Sequence, residues 1–397
     1  MPAMVVLIPV LGALSAFAPM SIDMYLPSTD HLVGVFDTTT ERVQWTLSSF
    51  IFGYAIAHMF WGPVSDRYGR RPLLVIGVGL YTIASLGCLF APSVEAMIGL
   101  RGLQGLGAAA APLLARAVVR DMFDRERGAR ILSLMWMVMS IAPMLAPIIG
   151  GQLFKYLGWE SVFWVLTIFG VICLVLVVSV LGESLPPDRR TRHNPLEMAA
   201  SYGELLIHRR FLGYSLCGSF LFAAMFAYIS STPFVFIGLY GVTEEQYGFL
   251  FATHVAVMTI GAYINSRIVE RFGLDPIIRW GAVWAAAMGC VVLFFAATGI
   301  GGVVGLLIPF ALMMFAVPLV SANAVAGAMG EFPHLAGTAA ALNGMLSFAV
   351  GAIGSAVVAY LYNDTALPMG AGICGFGILS LLVYVFVLRG APPPAKS

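Results

Sequence analysis

Charge is what this sequence has least of. Only 10% of its 397 residues are Asp, Glu, Lys or Arg, against roughly a quarter in soluble domains. Hydrophobic residues make up 60% and the mean hydropathy is +0.91, a composition suited to lipid. The formal net charge of +1 gives no electrostatic reason to expect a nucleic-acid partner. The five cysteines, Cys88, Cys173, Cys217, Cys290 and Cys374, stand far apart in apolar runs without a CxxC pair, which argues against a disulfide framework or a thiolate metal site. No P-loop of the form GxxxxGK[ST] is present, so ATP is not expected as the energy source. No cluster of carboxylates, histidines or metal ligands gathers at one end of the apolar runs, as a membrane-embedded enzyme would need. No re-entrant filter or ring of repeated charges points to a channel. The amino terminus passes into an apolar run with no basic n-region and reads as a retained first span.

What the sequence does have is long apolar runs. A bilayer core takes about 20 helical residues to cross, and twelve runs qualify: 4–27, 43–63, 72–91, 95–118, 131–154, 160–182, 211–232, 246–268, 277–298, 302–326, 337–360 and 368–389. Lys and Arg are retained on the cytoplasmic side, and 17 of the 21 fall in alternate loops or the tail. These are Arg67, Arg70, Arg71, Arg120, Arg125, Arg127, Arg130, Arg189, Arg190, Arg192, Arg209, Arg210, Arg267, Arg271, Arg279, Arg389 and Lys396. Arg42 and Lys155 fall outside, and Arg101 and Arg116 fall within the fourth run. Both termini are therefore expected in the cytoplasm.

The longest polar stretch, 183–210, divides the chain into a bundle at 1–182 and a bundle with a short tail at 211–397. "DRYG" at 66–69 recurs as "ERFG" at 270–273, after the second run of each half. The expected fold is an all-α membrane protein with twelve transmembrane helices in two pseudo-symmetric six-helix bundles, an arrangement used by secondary transporters.

"GPVSDRYGRRP" at 62–72 joins the second and third runs. Gly62 and Gly69 permit a tight turn, while Asp66, Arg67, Arg70 and Arg71 can form ion pairs that break and remake between conformations. This segment closely resembles the loop signature of the major facilitator superfamily. "RGLQGLGAA" at 101–109 is similar to that family's second motif, and "SIAPMLAPIIGG" at 140–151 resembles the Pro/Gly motif of proton-linked exporters. The latter match lacks the usual leading glycine and rests on Pro147, Gly150 and Gly151. "SIDMYLP" (21–27), "GESLPP" (182–187) and "EFPHLAGTA" (331–339) resemble the bicyclomycin-resistance (Bcr/CflA) branch. The resemblance implies a drug:proton antiporter of the bacterial inner membrane, monomeric, with no cofactor beyond the proton gradient. Bicyclomycin-like, phenicol- or sulfonamide-type molecules are the partners it implies.

Asp23 is the one acid placed within a span away from its cytoplasmic end. A charge at depth is costly and tends to serve function. Asp23 lies about 28 Å of helix beyond Met4 at 1.5 Å per residue, which leaves a cap at the outer water as the plainer reading. Arg101 stands about two turns into the fourth run, at similar depth. In the family both runs face the central cavity, so a contact is expected. Losing that guanidinium would favour protonation of the carboxylate, giving Asp23 as proton carrier and Arg101 as its tuner. Arg116 is read as a snorkelling side chain, and Arg120 with Asp121 as partners of the 62–71 loop in an inner gate. His58 and His254 lie within runs and titrate near neutral pH; a relay and a simple packed histidine are both open.

For a drug pocket, methionines offer adaptable walls. Met135, Met139 and Pro143 share a face of the fifth run, and Met225 and Ile229 repeat that spacing beside Phe226. Gln104, Asn323 and Asn343 add polar groups, with Gly344 and Phe348 a turn apart. By position these match cavity-lining helices of the related exporters; ordinary packing is the plainer reading. Two alternatives to the exporter remain: a proton-coupled nutrient importer of the same fold, and a membrane enzyme acting on lipid-linked substrates.

Overall fold

The computed structural model describes residues 4–190, 195–332 and 335–389. Arg192, Lys396 and the Pro333–His334 pair of "EFPHLAGTA" lie outside them. Every regular element among the described residues is helical. In chain order these are α1 (Met4–Ser15), α2 (Phe17–Asp23), α3 (Thr29–Val35), α4 (Thr40–Tyr68), α5 (Arg70–Leu89), α6 (Val94–Met122), α7 (Arg125–Leu157) and α8 (Glu160–Val180). They continue as α9 (Pro195–Ile207), α10 (Arg209–Thr232), α11 (Glu244–Phe272), α12 (Leu274–Thr298), α13 (Gly302–Met314), α14 (Ala316–Gly330), α15 (Ala336–Tyr360) and α16 (Leu367–Val383).

Ten helical stretches are long and apolar enough to cross a membrane, and eleven if the bent pair at the amino end counts as one span. The expected run at 43–63 is helical, inside α4, which at 29 residues is long enough to span; Gln44, Ser48, Ser49 and His58 along it lower its apolarity and leave it outside that group.

Two predicted spans are broken, and proline explains both. Pro19 lacks the N–H that would bond the Ser15 carbonyl, and the first span bends by 41° between Ser15 and Phe17. Pro27 likewise leaves the Asp23 carbonyl without its helical donor, and a 3₁₀ turn follows at Leu26–Ser28. Pro318 does the same for Met314, where α13 gives way to α14. Helix starts are capped by side chains: Thr39 Oγ1 accepts the Arg42 N–H, Ser93 Oγ that of Ala96, and Asp124 Oδ1 that of Arg127.

Contacts group the chain into two compact units, Met1–His193 with Thr243–Ala252, and Asn194–Val242 with Thr253–Ser397. The 183–210 segment is more than a loop. Residues 183–190 pack in the first unit with Leu185 buried, and α9 in the second unit buries Tyr202 and Leu205. In the first unit α4 and α6 approach at backbone contact: a Cβ at Gly105 would fall on the Phe50 carbonyl, and one at Gly53 on that of Gly102. The "DRYG" and "ERFG" repeats end alike. α4 stops at Gly69, φ +104°, and α11 at Gly273, φ +75°. The Gly69 and Gly273 N–H groups close onto the Ser65 and Val269 carbonyls at 3.0 and 2.9 Å.

Candidate functional site

Asp23 ends α2, where the first span is already interrupted. Its side chain is 5% exposed and makes no hydrogen bond or ion pair among the described residues. The expected Asp23–Arg101 contact is not formed. Arg101, completely buried, sends Nη2 to the Ser21 carbonyl at 3.1 Å and Nη1 to Gln104 Oε1 at 2.5 Å. Aromatic rings box it in, with Tyr25, Phe50 and Phe163 centroids at 4.5, 4.6 and 6.0 Å. The reason is helical phase. Ser21 and Asp23 are two residues apart, about 200° around an α-helix, so the face that meets α6 through Ser21 turns Asp23 away. Ser21 Oγ also meets the Tyr81 hydroxyl at 2.9 Å, and Tyr25 the Thr46 hydroxyl at 2.8 Å. Arg101 thus clamps the broken span from one side and leaves the carboxylate on the other. Gln104 donates in turn to Ser85 Oγ at 2.8 Å, so its amide is engaged inside the first unit.

The Pro/Gly segment of α7 packs on the backbone of Met24, just after Asp23. A Cβ on Gly150 would collide with the carbonyl of Met24, the residue after Asp23. On the adjoining position Gly151 faces the Glu244 backbone, and Lys155 pairs with Glu245, in the short segment that groups with the first unit. Pro147 is buried, and Ile148 backs onto Gly248. Between the first span and α7 runs an apolar groove of about 260 Å³, lined by Met20, Met24, Val138, Ala142, Leu145 and Ile149 among others. Met135 and Met139 line a smaller opening beside it. Pro143 is part-buried on the same helix.

The 62–71 loop is organised by residues distant in sequence. Arg70, 6% exposed, pairs with Asp66 at 2.6 Å and with Asp121 at the end of α6 at 2.9 Å, and donates to Ser65 Oγ. Glu183, from "GESLPP", caps α5 by accepting the Arg70 and Arg71 N–H groups at 2.9 and 3.3 Å. An acid at a helix amino end is favoured by the dipole. Gly69 is required here twice over: its φ is positive, and a side chain would strike the Glu183 carboxylate. Arg71 reaches the Val178 carbonyl at 2.7 Å. Arg67 and Arg120 are exposed and make no ion pair among the described residues, and Gly62 borders open space. Asp121, not Arg120, is therefore the residue of α6 that pairs with the 62–71 loop.

The second unit buries neutral polar groups. Asn323 donates to Asn265 Oδ1 and to the Leu319 carbonyl, both at 2.7 Å. His254 accepts or donates to the Tyr228 hydroxyl at 3.0 Å, and the Tyr228 ring stacks on Phe310 at 3.4 Å. His58, in the first unit, bonds the Tyr54 carbonyl at 2.9 Å. Phe226 meets Phe222 and Phe348 at 5.7 and 6.1 Å, and Ile229 is buried near them on α10. Met225 and Gly344 are part-buried and Asn343 is 6% exposed. Sequence reasoning missed Glu183, Ser21, Asn265 and the Arg101 aromatic box. Of these, Glu183 and Ser21 left a signal, the "GESLPP" and "SIDMYLP" matches, which carried no role for either residue.

Glycine-ended helical repeats and a Pro/Gly-bearing helix packed on a broken first span fit a multi-pass membrane transporter, and the chain belongs to the Major Facilitator Superfamily, whose sequence model matches residues 11–355. The chain is 33% identical to the bicyclomycin resistance protein homolog of Haemophilus influenzae, covering 95% of this chain and 94% of that one. It is 29% identical to a chloramphenicol resistance protein of Pseudomonas aeruginosa, over 90% of this chain and 85% of that one. In fold it is similar to the partially occluded, inward-open xylose transporter XylE of E. coli, with a TM-score of 0.75 at 14% identity, covering 99% of both chains.

Proposed function

We propose that this transporter is a proton-driven exporter of small amphipathic drugs in the bacterial inner membrane, monomeric, with both termini in the cytoplasm. The observation that carries the reading is Asp23: a carboxylate buried at a break in the first span, without a partner among the described residues, one residue before the Met24 backbone on which Gly150 of α7 packs. A charge held at such a place is retained for what it does. Asp23 takes the proton, and the two packings of the broken span that α7 allows give the carboxylate access to either side. Arg101 holds the opposite face of the span so that the change is confined to the Asp23 side. The names of the relatives, which speak of bicyclomycin and chloramphenicol resistance, support drug-like cargo. The apolar groove with Met20 and Met24, together with Met135, Met139 and Pro143, is the proposed drug wall in the first unit. Met225, Phe226, Ile229, Asn343, Gly344 and Phe348 form that of the second. Gln104 and Asn323 support these walls from within.

The test is efflux of a phenicol from proteoliposomes driven by an imposed pH gradient. Unsubstituted protein should export against the concentration gradient and Asp23→Asn should not, with both equally inserted. Uphill uptake in the direction of proton flow would favour the importer.

A further inference from the structure

The second unit holds a pair of cysteines that neither the fold nor the proposed transport uses. Cys290 of α12 and Cys374 of α16 are both free thiols, and their sulfurs stand 3.6 Å apart. Glycines hold them there, because α12 and α16 meet at backbone contact beside the pair and on either side of it. A Cβ on Gly289 would fall 3.0 Å from the Cys374 Cα, one on Gly370 3.3 Å from the Leu293 Cα, and one on Gly377 3.2 Å from the Ala285 carbonyl oxygen. The pair opens outward. Cys290 is exposed on the stripe of α12 that also carries the exposed Trp284 and Phe294, while Cys374 is buried behind it. Both helices are long and apolar enough to cross a membrane, so this stripe meets hydrocarbon.

We propose that Cys290 and Cys374 form a two-point covalent site for a lipid-soluble trivalent arsenical. The sulfurs are spaced for one bridging atom. An atom held by two sulfurs at about 2.3 Å, the length of a zinc–thiolate bond and close to that of arsenic–sulfur, spans about 3.8 Å if tetrahedral and less at a narrower angle. A disulfide would instead draw the sulfurs together to about 2.05 Å. A metal ion is a poor occupant: no third His, Cys, Asp or Glu joins the pair among the described residues, and charge is costly in hydrocarbon. Trivalent organoarsenic needs no third protein ligand, since its own carbon completes the three bonds. In R–As=O the arsenic–oxygen bond breaks as two As–S bonds form. Both thiol protons leave with the oxygen as one water, and no atom changes oxidation state. The product is uncharged, and its organic group stays in the lipid beside the α12 stripe. The site stands apart from the proposed drug walls and does not rest on the exporter reading.

The test uses the purified, reduced full chain in phosphatidylcholine liposomes, with phenylarsine oxide as the probe. Intact mass should show one phenylarsenic per chain with two thiols lost, and digestion of the adduct should leave the α12 and α16 peptides joined. Cys290→Ser and Cys374→Ser should each weaken capture by about a hundredfold or more, because the second bond is then no longer intramolecular. 2,3-Dimercaptopropanol should release the probe, and an equal excess of thiol groups as 2-mercaptoethanol should not. Where a variant fails to fold, the peptide join and the release pattern of the unsubstituted chain carry the test. Undiminished capture by either single variant, release by the monothiol, no adduct, or an adduct that joins other peptides overturns the proposal. A glutathione-linked arsenical confined to water should react at least about tenfold more slowly than phenylarsine oxide, as a charged group enters hydrocarbon at high cost. Equal rates would place the pair at water and overturn the lipid-facing site.

Discussion

The two units differ in what they bury. Among the described residues, the ionisable acids, lysines and arginines that are fully buried, Asp23, Arg70 and Arg101, all belong to the first unit. The second unit buries Asn265, Asn323, Asn343, His254 and several serines, and keeps its Arg210–Glu331 pair and Asp275 nearer its edge. The repeated backbone is the same, down to the positive-φ glycine ending α4 and α11, but the charge that braces it enters differently. In the first unit the cation stands just after the glycine and acids come from α6 and the 183 segment. In the second, Asp275 stands after the glycine and the cation, Arg210, comes from α10, with Tyr214 donating to Asp275 at 2.6 Å. A duplicated scaffold thus needs a bridge at this junction, not a particular donor of it. Among the described residues, charge at depth belongs to the first unit, while the second buries neutral polar groups.

Substitutions can break or sharpen this contrast. The largest effect is expected for Arg101→Ala, which empties the aromatic box and removes the donor from both the Ser21 carbonyl and Gln104 Oε1. A loss of about 3–5 kcal/mol follows from comparable large-to-small core changes and would appear as a collapsed thermal melt in detergent. Arg70→Ala should cost about 2–3 kcal/mol by leaving Asp121 and Asp66 without their charge-assisted donor. Asn323→Ala, in the neutral unit, should cost about 1–2 kcal/mol because only the Asn265 carbonyl oxygen is left unpaired. Arg120→Ala should shift stability by no more than about 0.5 kcal/mol, as exposed changes do. If Asn323→Ala proved as damaging as Arg101→Ala, the difference between the units would lose its energetic meaning.

Much of the fold was legible in composition. Apolar runs bounded by charge or glycine located the helices and the "DRYG" and "ERFG" repeat located matching ends, while the breaks beside Pro19 and Pro318 came from the structure. Polar substitutions along α4 were not enough to hide its helix, only its apolarity. The site was legible in its residue types but not in its pairings. Depth placed Asp23 beside Arg101, while the side of the helix each presents depends on how α2 docks on α5 and α6, which spacing along one chain does not encode. Glu183 and Asp121 lie 113 and 51 residues from Arg70, and only the folded bundle brings them together. Asn265 has no unusual neighbours in sequence and acquires its role from Asn323 opposite.

The central claim is that Asp23 carries the proton while the rest of the first unit holds the path. The direct test separates coupling from binding in Asp23→Asn proteoliposomes, by following drug–drug exchange without a gradient and, in parallel, proton movement on drug addition. Exchange at a rate close to that of the unsubstituted protein with no drug-induced proton flux is the predicted result. Drug-induced proton flux that persists in Asp23→Asn would contradict the account.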